Sequence, residues 1–539
     1  MRGSKLGFRQ AKPVAELPDD LNMIARKYRA YNFPFENLVL EGGGAKGIAY
    51  IGAMKVLEVA GIMENIKRFA GTSAGAITSG LMALGMTSDE ILEEMRNVDM
   101  ERTLMESPRR SRCELYLCWK LFTAFGGNRG DKFFRWYGEV IQRHLDKHHK
   151  DKGLDRNINL SQLRNVFGKE LCTVTYNLTF DIDKYCHAKT SPLCSVRQAV
   201  RQSMSLPVVY IPFKFEDGPD LYIDGGVCAN FPLYCYDGWW LSMDEEDSFQ
   251  RRLEEEADDV KTANCFYLQC TEARFQPENV SEEQRKQQLQ KTLGLMMYSK
   301  TYRRAYQHVF SERLDAFMTM TGDEFKNKRP ETKVKKKYQK IEEKRSEKER
   351  KRNDKMREEL DSKRQRLHEV LNVPRNREDM LKCFKDKFPN KKELRDFRHE
   401  ADSYEVVFDD LFAEYPGGPV TDETIKNMYI NWGPFRKKLM EVVPQRIIDT
   451  PFELSSKYVE LVGRSKPIKE EDVGRCIGID VDYVGTFDFN MEPEDQTFLM
   501  RQGALATLAF LEDYVKRYNL QPSDHTTAEP SLVLSEASL

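Results

Sequence analysis

The sequence lacks the apolar runs that mark membrane-spanning and secreted proteins. Nowhere among its 539 residues do about 18 consecutive apolar residues occur. Its first twenty residues, MRGSKLGFRQAKPVAELPDD, contain no apolar stretch of the roughly 7–15 residues that a signal peptide needs. We therefore expect a cytoplasmic protein without a signal peptide or a transmembrane helix.

Cysteine is also scarce. The 11 cysteines are an odd number, and they form neither a Cys-x-x-Cys pair nor a Cys/His ligand set. This argues against a disulfide scaffold, it gives no reason to expect a structural zinc site, and it favours a reducing compartment.

The chain as a whole carries no large net charge, but positive charge is concentrated in one segment. The 84 basic and 86 acidic side chains leave a net charge of -2, which gives no chain-wide case for binding nucleic acid or an anionic membrane. Residues 326–366, however, hold 19 Lys/Arg against 9 Asp/Glu, a local charge of +10 that leaves -12 for the remainder. Apolar residues are too sparse there for heptads, so we predict a long solvated helix rather than a coiled coil.

The order of predicted elements indicates an α/β domain. Residues 37–60 and 66–85 each read as strand, glycine-rich turn and helix, a repetition typical of a parallel sheet covered by helices. Further strands are predicted at 171–180, 208–215, 221–226 and 265–270, and again within 475–489 before a helix around 498–515.

Eight aromatic residues between these strands either pack in the core or form an apolar rim for a substrate. They are Tyr116, Trp119, Phe122, Phe125, Phe133, Phe134, Trp136 and Tyr137.

We divide the chain accordingly into five parts. They are an N-terminal extension (1–35), the main part of a catalytic domain (36–275), a charged helical insertion (276–474), the returning strand and helix of the catalytic domain (475–518), and a disordered tail (519–539).

Three short motifs carry the chemistry. The first is a glycine loop directly after a strand, made of Gly42, Gly43, Gly44, Ala45, Lys46 and Gly47. Its spacing suits a dinucleotide-binding turn at a helix N-terminus. The same outward-pointing amides also suit an oxyanion hole, so the loop alone leaves both functions open.

The second motif is a Gly-x-Ser-x-Gly turn between a strand and a helix, formed by Gly71, Thr72, Ser73, Ala74 and Gly75. In this context it is typical of a nucleophile elbow, in which a serine sits on a strained turn with its hydroxyl exposed. The alternative is that Ser73 only caps the helix.

The third motif is Asp224-Gly225-Gly226, at the end of a predicted strand. An ionised carboxylate there can accept a proton or a hydrogen bond from a serine hydroxyl, although an Asp-Gly pair is most often only a turn. No histidine after Asp224 lies on an obvious strand-end loop, and His144, His148 and His149 fall on a charged helix end where we expect them to be solvated. A Ser-Asp dyad therefore fits better than a triad with histidine.

The order GGGAKG, GTSAG, DGG, together with AVRQSMSLPVVYIPF leading into YIDGGVCANFPL, resembles the patatin-like phospholipase family. The resemblance covers about residues 36–275 and resumes over 475–515. It implies a three-layer α/β/α domain with a mostly parallel central sheet, to which this chain adds its large charged helical insertion. It also implies that lipid acyl esters are hydrolysed without a metal or other cofactor.

Carried over residue by residue, the resemblance makes Ser73 the nucleophile and Asp224 the proton acceptor. The amides of Gly43 and Gly44 become the oxyanion hole, and Lys46 falls at a basic position of the family. The expected partners are a phospholipid or other acyl-lipid, a membrane bound peripherally, and a protein partner or activator at the insertion.

Two other functions are open. A catalytically silent protein could use the insertion to bind a partner or an anionic membrane. A nucleotide-binding oxidoreductase could use the glycine loop, but it would leave GTSAG and DGG unexplained.

Overall fold

The structure of this chain is a computed structural model. It describes residues 19–106, 126–215, 218–242, 275–276, 280–299, 306–322, 325–371, 377–394, 397, 403–412 and 468–523. The predicted strand at 265–270, four of the eight aromatic residues (Tyr116, Trp119, Phe122 and Phe125), most of the N-terminal extension and residues 524–539 lie outside this part. The chain divides into two compact units, residues 1–336 with 455–539 and residues 337–454.

The first unit is built on a mostly parallel sheet. Its strands are β1 (Asn37–Leu40), β2 (Arg68–Gly71), β4 (Glu170–Asn177), β5 (Ile182–Cys186), β7 (Phe213–Lys214), β8 (Leu221–Asp224), β9 (Thr292–Tyr298) and β10 (Cys476–Asp480). They run in the order β10-β9-β1-β2-β4-β8-β7, and β5 pairs with β4. A separate parallel pair joins β3 (Gly126–Asn128) to β6 (Val208–Tyr210).

Complete burial of the strands marks the centre of this sheet. Every residue of β1 and β9 is buried, as expected for parallel strands that are covered on both faces. The pairs β10–β9, β9–β1, β1–β2 and β2–β4 are parallel, whereas β8 runs antiparallel to β4. The predicted α/β class with a mostly parallel sheet is confirmed.

Helices are interspersed among the strands along the chain, and they are numbered here in chain order. In the first unit they are α1 (Asp19–Arg26), α2 (Ala49–Val59), α3 (Ala74–Ala83), α4 (Ser88–Arg96), α5 (Met100–Leu104), α6 (Asp131–His148), α7 (Leu160–Phe167), α8 (Val196–Ser203), α9 (Gly226–Ala229), α10 (Trp239–Ser242), α11 (Glu282–Gln290), α12 (Gln307–Thr321) and α17 (Pro493–Arg517). Short 3-10 helices lie at Lys27–Ala30, Gly44–Ile48, Ile62–Glu64, Lys150–Lys152 and Glu470–Arg475. No helix in the described ranges is both long and apolar enough to cross a bilayer.

Strand β9 departs from the expected organisation. The sequence predicts a helical insertion over 276–474, yet TLGLMMY within it forms a buried strand between β1 and β10. A buried parallel strand has no polar–apolar alternation, so its sequence pattern cannot be distinguished from that of a buried helix segment. The compact second unit covers only residues 337–454.

Helices α2 and α17 pack against each other at unusually close range. A Cβ atom on Gly52 would lie 1.8 Å from the carbonyl oxygen of Met500, and one on Gly503 would lie 2.0 Å from that of Ala49. The two backbones therefore touch at paired glycines, which no larger residue could replace. Helix α17 also confirms the helix predicted around residues 498–515.

The aromatic residues of α6 belong to the core. Phe133, Trp136 and Tyr137 are buried and stack on one another, and the Tyr137 hydroxyl donates to the carbonyl of Ile77 on α3. Phe134 is half-buried beneath the guanidinium of Arg197. For these four residues packing, rather than an apolar rim, is the observed role.

The second unit contains most of the basic segment. The predicted long helix is confirmed as α13 (Lys333–Leu371), and the unit also holds α14 (Arg377–Lys387), α15 (Lys391–Leu394) and α16 (Tyr404–Phe412). A small aromatic core that the polar composition did not predict joins them, with Phe384, Phe388, Phe397 and Phe408 in mutual ring contact.

A buried ion pair fixes the returning strand. Arg475, directly before β10, donates from both guanidinium nitrogens to the Asp237 carboxylate at 2.6 Å each, and the two side chains are only 6% and 4% exposed. Two parallel charge-assisted bonds of this kind specify geometry as well as contributing energy.

We predict that Arg475→Met lowers the free energy of unfolding by about 3–5 kcal/mol, because it leaves the Asp237 carboxylate buried without its partner. The matched control is Arg285→Met, which breaks a pair with Glu471 whose side chains are more than a third exposed. That change should cost about 1 kcal/mol or less. Urea unfolding followed by tryptophan fluorescence measures both, and equal losses would contradict the prediction.

Candidate functional site

The turn after β2 places Ser73 in a backbone conformation that serine rarely adopts. Its φ is 54° and its ψ is -120°, directly before the first residue of α3. Ser73 is half-buried, while Gly71, Thr72, Ala74 and Gly75 around it are buried. The strained, accessible serine between a strand and a helix is the arrangement that a nucleophile elbow requires.

Glycine is required two residues before and two residues after Ser73, because a Cβ atom at either position would clash with neighbouring backbone. A Cβ atom at position 71 would lie 2.4 Å from the carbonyl carbon of Gly75. One at position 75 would lie 2.4 Å from the carbonyl oxygen of Leu40, at the end of β1. The two glycines thus let the turn close on itself and approach the strand that leads into the glycine loop.

Asp224 lies at the end of β8, beside the turn. It is 2% exposed, its carboxylate accepts the Gly226 N–H at 2.7 Å, and the Ser73 side chain lies beside it. Burial raises the pKa of Asp224 to about 6, although the Gly226 N–H and the Ser73 side chain oppose the rise. The structure therefore brings the two predicted catalytic side chains into contact. Gly225 is the N-cap of the short helix α9, and Gly226 is the first residue of that helix.

The glycine loop lies against the same site. Gly42 donates its N–H to the Asn230 carbonyl at 2.9 Å, and Ala45 donates to the Thr486 carbonyl at 2.9 Å. In the part of the chain that the structure describes, the N–H groups of Gly43 and Gly44 donate to no protein acceptor. Lys46 and Gly47 are buried within the 3-10 helix that follows.

Sequence reasoning missed three residues that hold these motifs together. The Asn230 side chain donates to the Gly42 carbonyl at 3.1 Å and to the Glu41 carboxylate at 3.3 Å, and Glu41 accepts the Met297 N–H at 2.9 Å. Ser203 accepts the Ser73 N–H at 3.1 Å while donating to the Val174 carbonyl at 2.5 Å.

Their signals were weak but present. Asn230 stands in the ANFPL segment directly after the acidic motif, Glu41 directly precedes the glycine loop, and Ser203 lies in the AVRQSMSLP segment. None of these residue types specifies a role without its partner, and each partner is distant along the chain.

Histidine takes no part in the described contacts of this site. His187 is fully buried with its Nε2 2.8 Å from Glu170, and His144 contacts the Leu84 carbonyl. The expectation that His144 is solvated is wrong, because its side chain is only 5% exposed.

We predict that Asp224→Asn flattens the pH dependence of stability. Because the folded-state pKa of Asp224, about 6, lies above its ordinary value of 3.8, the folded chain favours the protonated acid. Its stability therefore falls as the pH rises from about 4 to above 6, by about 2 kcal/mol for this group. The uncharged amide of the variant does not carry this cost.

Urea unfolding at about pH 4 and about pH 8 measures the difference. Ser73→Ala is the matched control, since it keeps the Asp224 carboxylate and should retain the pH dependence. If the unfolding free energy of the Asp224→Asn variant depended on pH as strongly as that of the wild type, the raised pKa of Asp224 would be contradicted.

Comparison with known proteins is consistent with these motifs. Residues 38–234 match the family model described as patatin-like phospholipase, which confirms the resemblance over that range. The chain is 31% identical to uncharacterized protein R571 of Acanthamoeba polyphaga mimivirus over 203 residues, which are 38% of this chain and 61% of that protein. It is 27% identical to the probable lipid hydrolase 463L of Invertebrate iridescent virus 6 over 199 residues, 37% of this chain and 62% of that protein.

The chain thus spans less than two thirds of the length of these relatives. Solved structures to which it is similar include VipD from Legionella pneumophila, at 18% identity over 53% of this chain and 56% of that chain, with a TM-score of 0.27. Another is the ExoU–SpcU complex of Pseudomonas aeruginosa, at 18% identity over 74% and 76%, with a TM-score of 0.26.

Proposed function

We propose that the patatin-like domain matched over residues 38–234 hydrolyses acyl-ester bonds of lipids, with Ser73 as nucleophile and Asp224 as its base. The observation that carries the proposal is that the buried Asp224 carboxylate lies beside the side chain of Ser73, which stands on a strained turn. The viral relative whose name is probable lipid hydrolase supports the same substrate class.

Burial makes Asp224 a better base than an ordinary aspartate. A carboxylate in water, with a pKa near 4, holds a proton too weakly to take one from a serine hydroxyl. The pKa of Asp224 is raised to about 6 by burial, so the group is still ionised at neutral pH but accepts a proton more readily. The Gly226 N–H keeps the carboxylate oriented toward the turn.

The Gly43 and Gly44 amides are the proposed oxyanion hole. Because neither N–H donates to an acceptor within the described residues, both are available to a developing negative charge. The bonds from Gly42 to Asn230 and from Ala45 to Thr486 hold the loop on either side of them. Such a preorganised loop avoids rearrangement when the charge forms.

The reaction then proceeds in two balanced steps. The Ser73 oxygen attacks the ester carbonyl while its proton passes to Asp224, and the tetrahedral oxyanion rests on the two amides. The C–O bond to the leaving alcohol breaks as Asp224 returns the proton to it, which leaves an acyl-serine. Water, deprotonated by Asp224, attacks the carbonyl of the acyl-serine. The bond between the acyl carbon and the Ser73 oxygen then breaks as Asp224 returns the proton to that oxygen, which releases the fatty acid. Phospholipid, lysophospholipid and neutral glyceride are all substrates that this chemistry accommodates.

The alternative of a catalytically silent protein is less well supported. Loss of function commonly requires only the loss of a nucleophile or a base, whereas here both are present and in contact. A dinucleotide-binding role for the glycine loop would leave the contact between Ser73 and Asp224 without a purpose.

We predict that Ser73→Ala and Asp224→Asn each reduce kcat for a short-chain ester by about a thousandfold or more, and that the double variant is little worse than either. The non-additivity follows because the two groups act as one unit. In the wild type, kcat/KM should fall about tenfold per pH unit below about pH 6, where Asp224 becomes protonated.

Steady-state kinetics and labelling with a fluorophosphonate probe measure this. Ser79→Ala is the matched control. Ser79 lies on α3, the helix that follows Ser73, and its hydroxyl donates to the Ala70 carbonyl. It should keep both labelling and turnover. Additive losses, or probe labelling that survives Ser73→Ala, would argue against the dyad.

A lipid substrate also requires access to a bilayer, and we propose that helix α13 supplies peripheral membrane attachment. Each Lys or Arg near an anionic surface contributes roughly 1 kcal/mol, over a Debye length of about 8 Å at physiological salt. Lys340, Lys344 and Lys351 are exposed and spaced so that they share one stripe of this helix. A protein partner or activator at this helix is the competing role.

We predict that reversing the charge of these three lysines to glutamate weakens binding to phosphatidylserine vesicles about a hundredfold or more at low salt. Deleting 326–366 is a poorer test, because Thr332 donates to the buried Asp495 and Arg329 pairs with Asp482. Cosedimentation at low and high salt measures binding, and hydrolysis of a soluble ester should be unchanged.

The matched control reverses Lys150, Lys152 and Lys286, three exposed lysines outside the basic segment. It changes the net charge equally and should bind vesicles more tightly than the α13 variant. Equal binding by the two triple variants would leave α13 as a partner-binding or spacer helix.

A further inference from the structure

Three side chains of metal-ligand type converge away from the proposed catalytic dyad. Glu90 on α4 and His144 and His148 on α6 place candidate ligand atoms within 4.8 Å of one another. The two histidines are four residues apart, so the helix presents them on one face. Glu90 is brought to them by the packing of α4, where it closes a capping box with Thr87.

His144 is held in the form that a metal ligand needs. Its Nε2 lies 3.0 Å from the carbonyl oxygen of Leu84, which can only accept, so Nε2 carries the hydrogen and Nδ1 keeps a free lone pair. Metal-bound histidines commonly anchor their second nitrogen on a carbonyl in this way.

The lone pair of His144 faces a carboxylate across a gap. Its Nδ1 lies 3.9 Å from Oε2 of Glu90, which is too long for a hydrogen bond. Two ligands about 2.0–2.1 Å from a tetrahedral ion lie roughly 3.4 Å apart, so a shift of about half an ångström would fit one between them. His148 presents Nε2, 2.8 Å from the other oxygen of Glu90, so without an ion this nitrogen carries the hydrogen that the carboxylate accepts. A bound ion would take the place of that hydrogen, with the ring hydrogen on Nδ1 instead.

The surroundings of the cluster favour a cation. It borders a surface cavity of about 710 Å³ that Glu93, Glu94 and Glu139 also line, with Arg143 and Lys147 as the basic side chains of its lining.

Lys147 occupies the position of a competing cation. Its ammonium lies 2.9 Å from Oε1 of Glu90, and its side chain is 65% exposed. An exposed lysine can leave this contact at little cost, since such pairs contribute about 1 kcal/mol or less.

We propose that Glu90, His144 and His148 bind a divalent transition-metal ion of the zinc class. Two imidazoles and one carboxylate are a ligand set that zinc accepts, with a further position open to water or a ligand from the cavity. The family resemblance predicts no metal, and Cys/His spacing does not reveal this set because its members lie on two helices.

The site would act on the fold rather than on the ester. Leu84, which anchors His144, follows the last residue of α3, whereas Ser73 precedes the first. At 1.5 Å per residue the helix separates them by roughly 15 Å. A bound ion would tie α4 to α6 at the far end of the helix that carries the nucleophile.

The test uses the full chain, stripped with a chelator and dialysed. Zinc titrated into it by calorimetry should show one saturable site, and the melting temperature should rise with zinc. His148→Ala, a surface change that should not disturb folding, is expected to weaken zinc binding at least about tenfold. Lys147→Met should strengthen it, because the competing ammonium is removed.

His149→Ala is the matched control, since that imidazole ring lies within 6.3 Å of both ligand rings but is not assigned to the ion. It should bind zinc within about twofold of the wild type, as expected for a residue outside the ligand set. The proposal is overturned if the wild type shows no saturable binding, if His148→Ala binds as tightly, or if His149→Ala loses as much affinity. Glu90→Gln, which can still accept the Thr87 N–H, provides a second ligand variant with the same expected loss.

Discussion

The site depends on one close approach between backbones. The Cα of Gly75 packs against the carbonyls of Leu40 and Glu41, so the serine turn and the entry to the glycine loop touch without a side chain between them. Any Cβ there would push the two βα units apart and separate Ser73 from the amides of the loop. The Asn230 side chain then joins the acidic segment to the same junction. Three chain segments thus converge because one position carries only hydrogen.

Much of this arrangement could be predicted because it depends on residues that are close together in the sequence. The strands at Asn37–Leu40 and Arg68–Gly71 each contain a short apolar run with a glycine at or just beyond the end of the strand, and helical periodicity follows each of them. A glycine that must admit a neighbouring backbone and a serine on a strained turn leave recognisable spacings. Parallel strands also end at one edge of a sheet, which is why Ser73 could be expected near the glycine loop.

The rest could not be predicted because it rests on partners that are distant along the chain. The sequence of strand β9 is compatible with either a buried strand or a buried helix. Only the sheet order, which places it between β1 and β10, shows that it is a central strand. Ser203 and Glu41 acquire their roles from the Ser73 and Met297 amides that they accept. Four phenylalanines in a polar region form a core only when three short helices bring them together. The His144 imidazole is anchored by a single carbonyl, that of Leu84, which directly follows helix α3.

The paired glycines of α2 and α17 have a consequence for the order of events during synthesis. Helix α2 leaves the ribosome early, yet the surface that covers it belongs to a helix made after the entire second unit. Contacts of such high sequence separation slow folding and leave apolar surface exposed meanwhile. The second unit, which is contiguous in sequence, can form its own core in that interval. We therefore expect the α/β fold of the first unit to be completed last, with the nascent chain needing protection from aggregation until α17 docks.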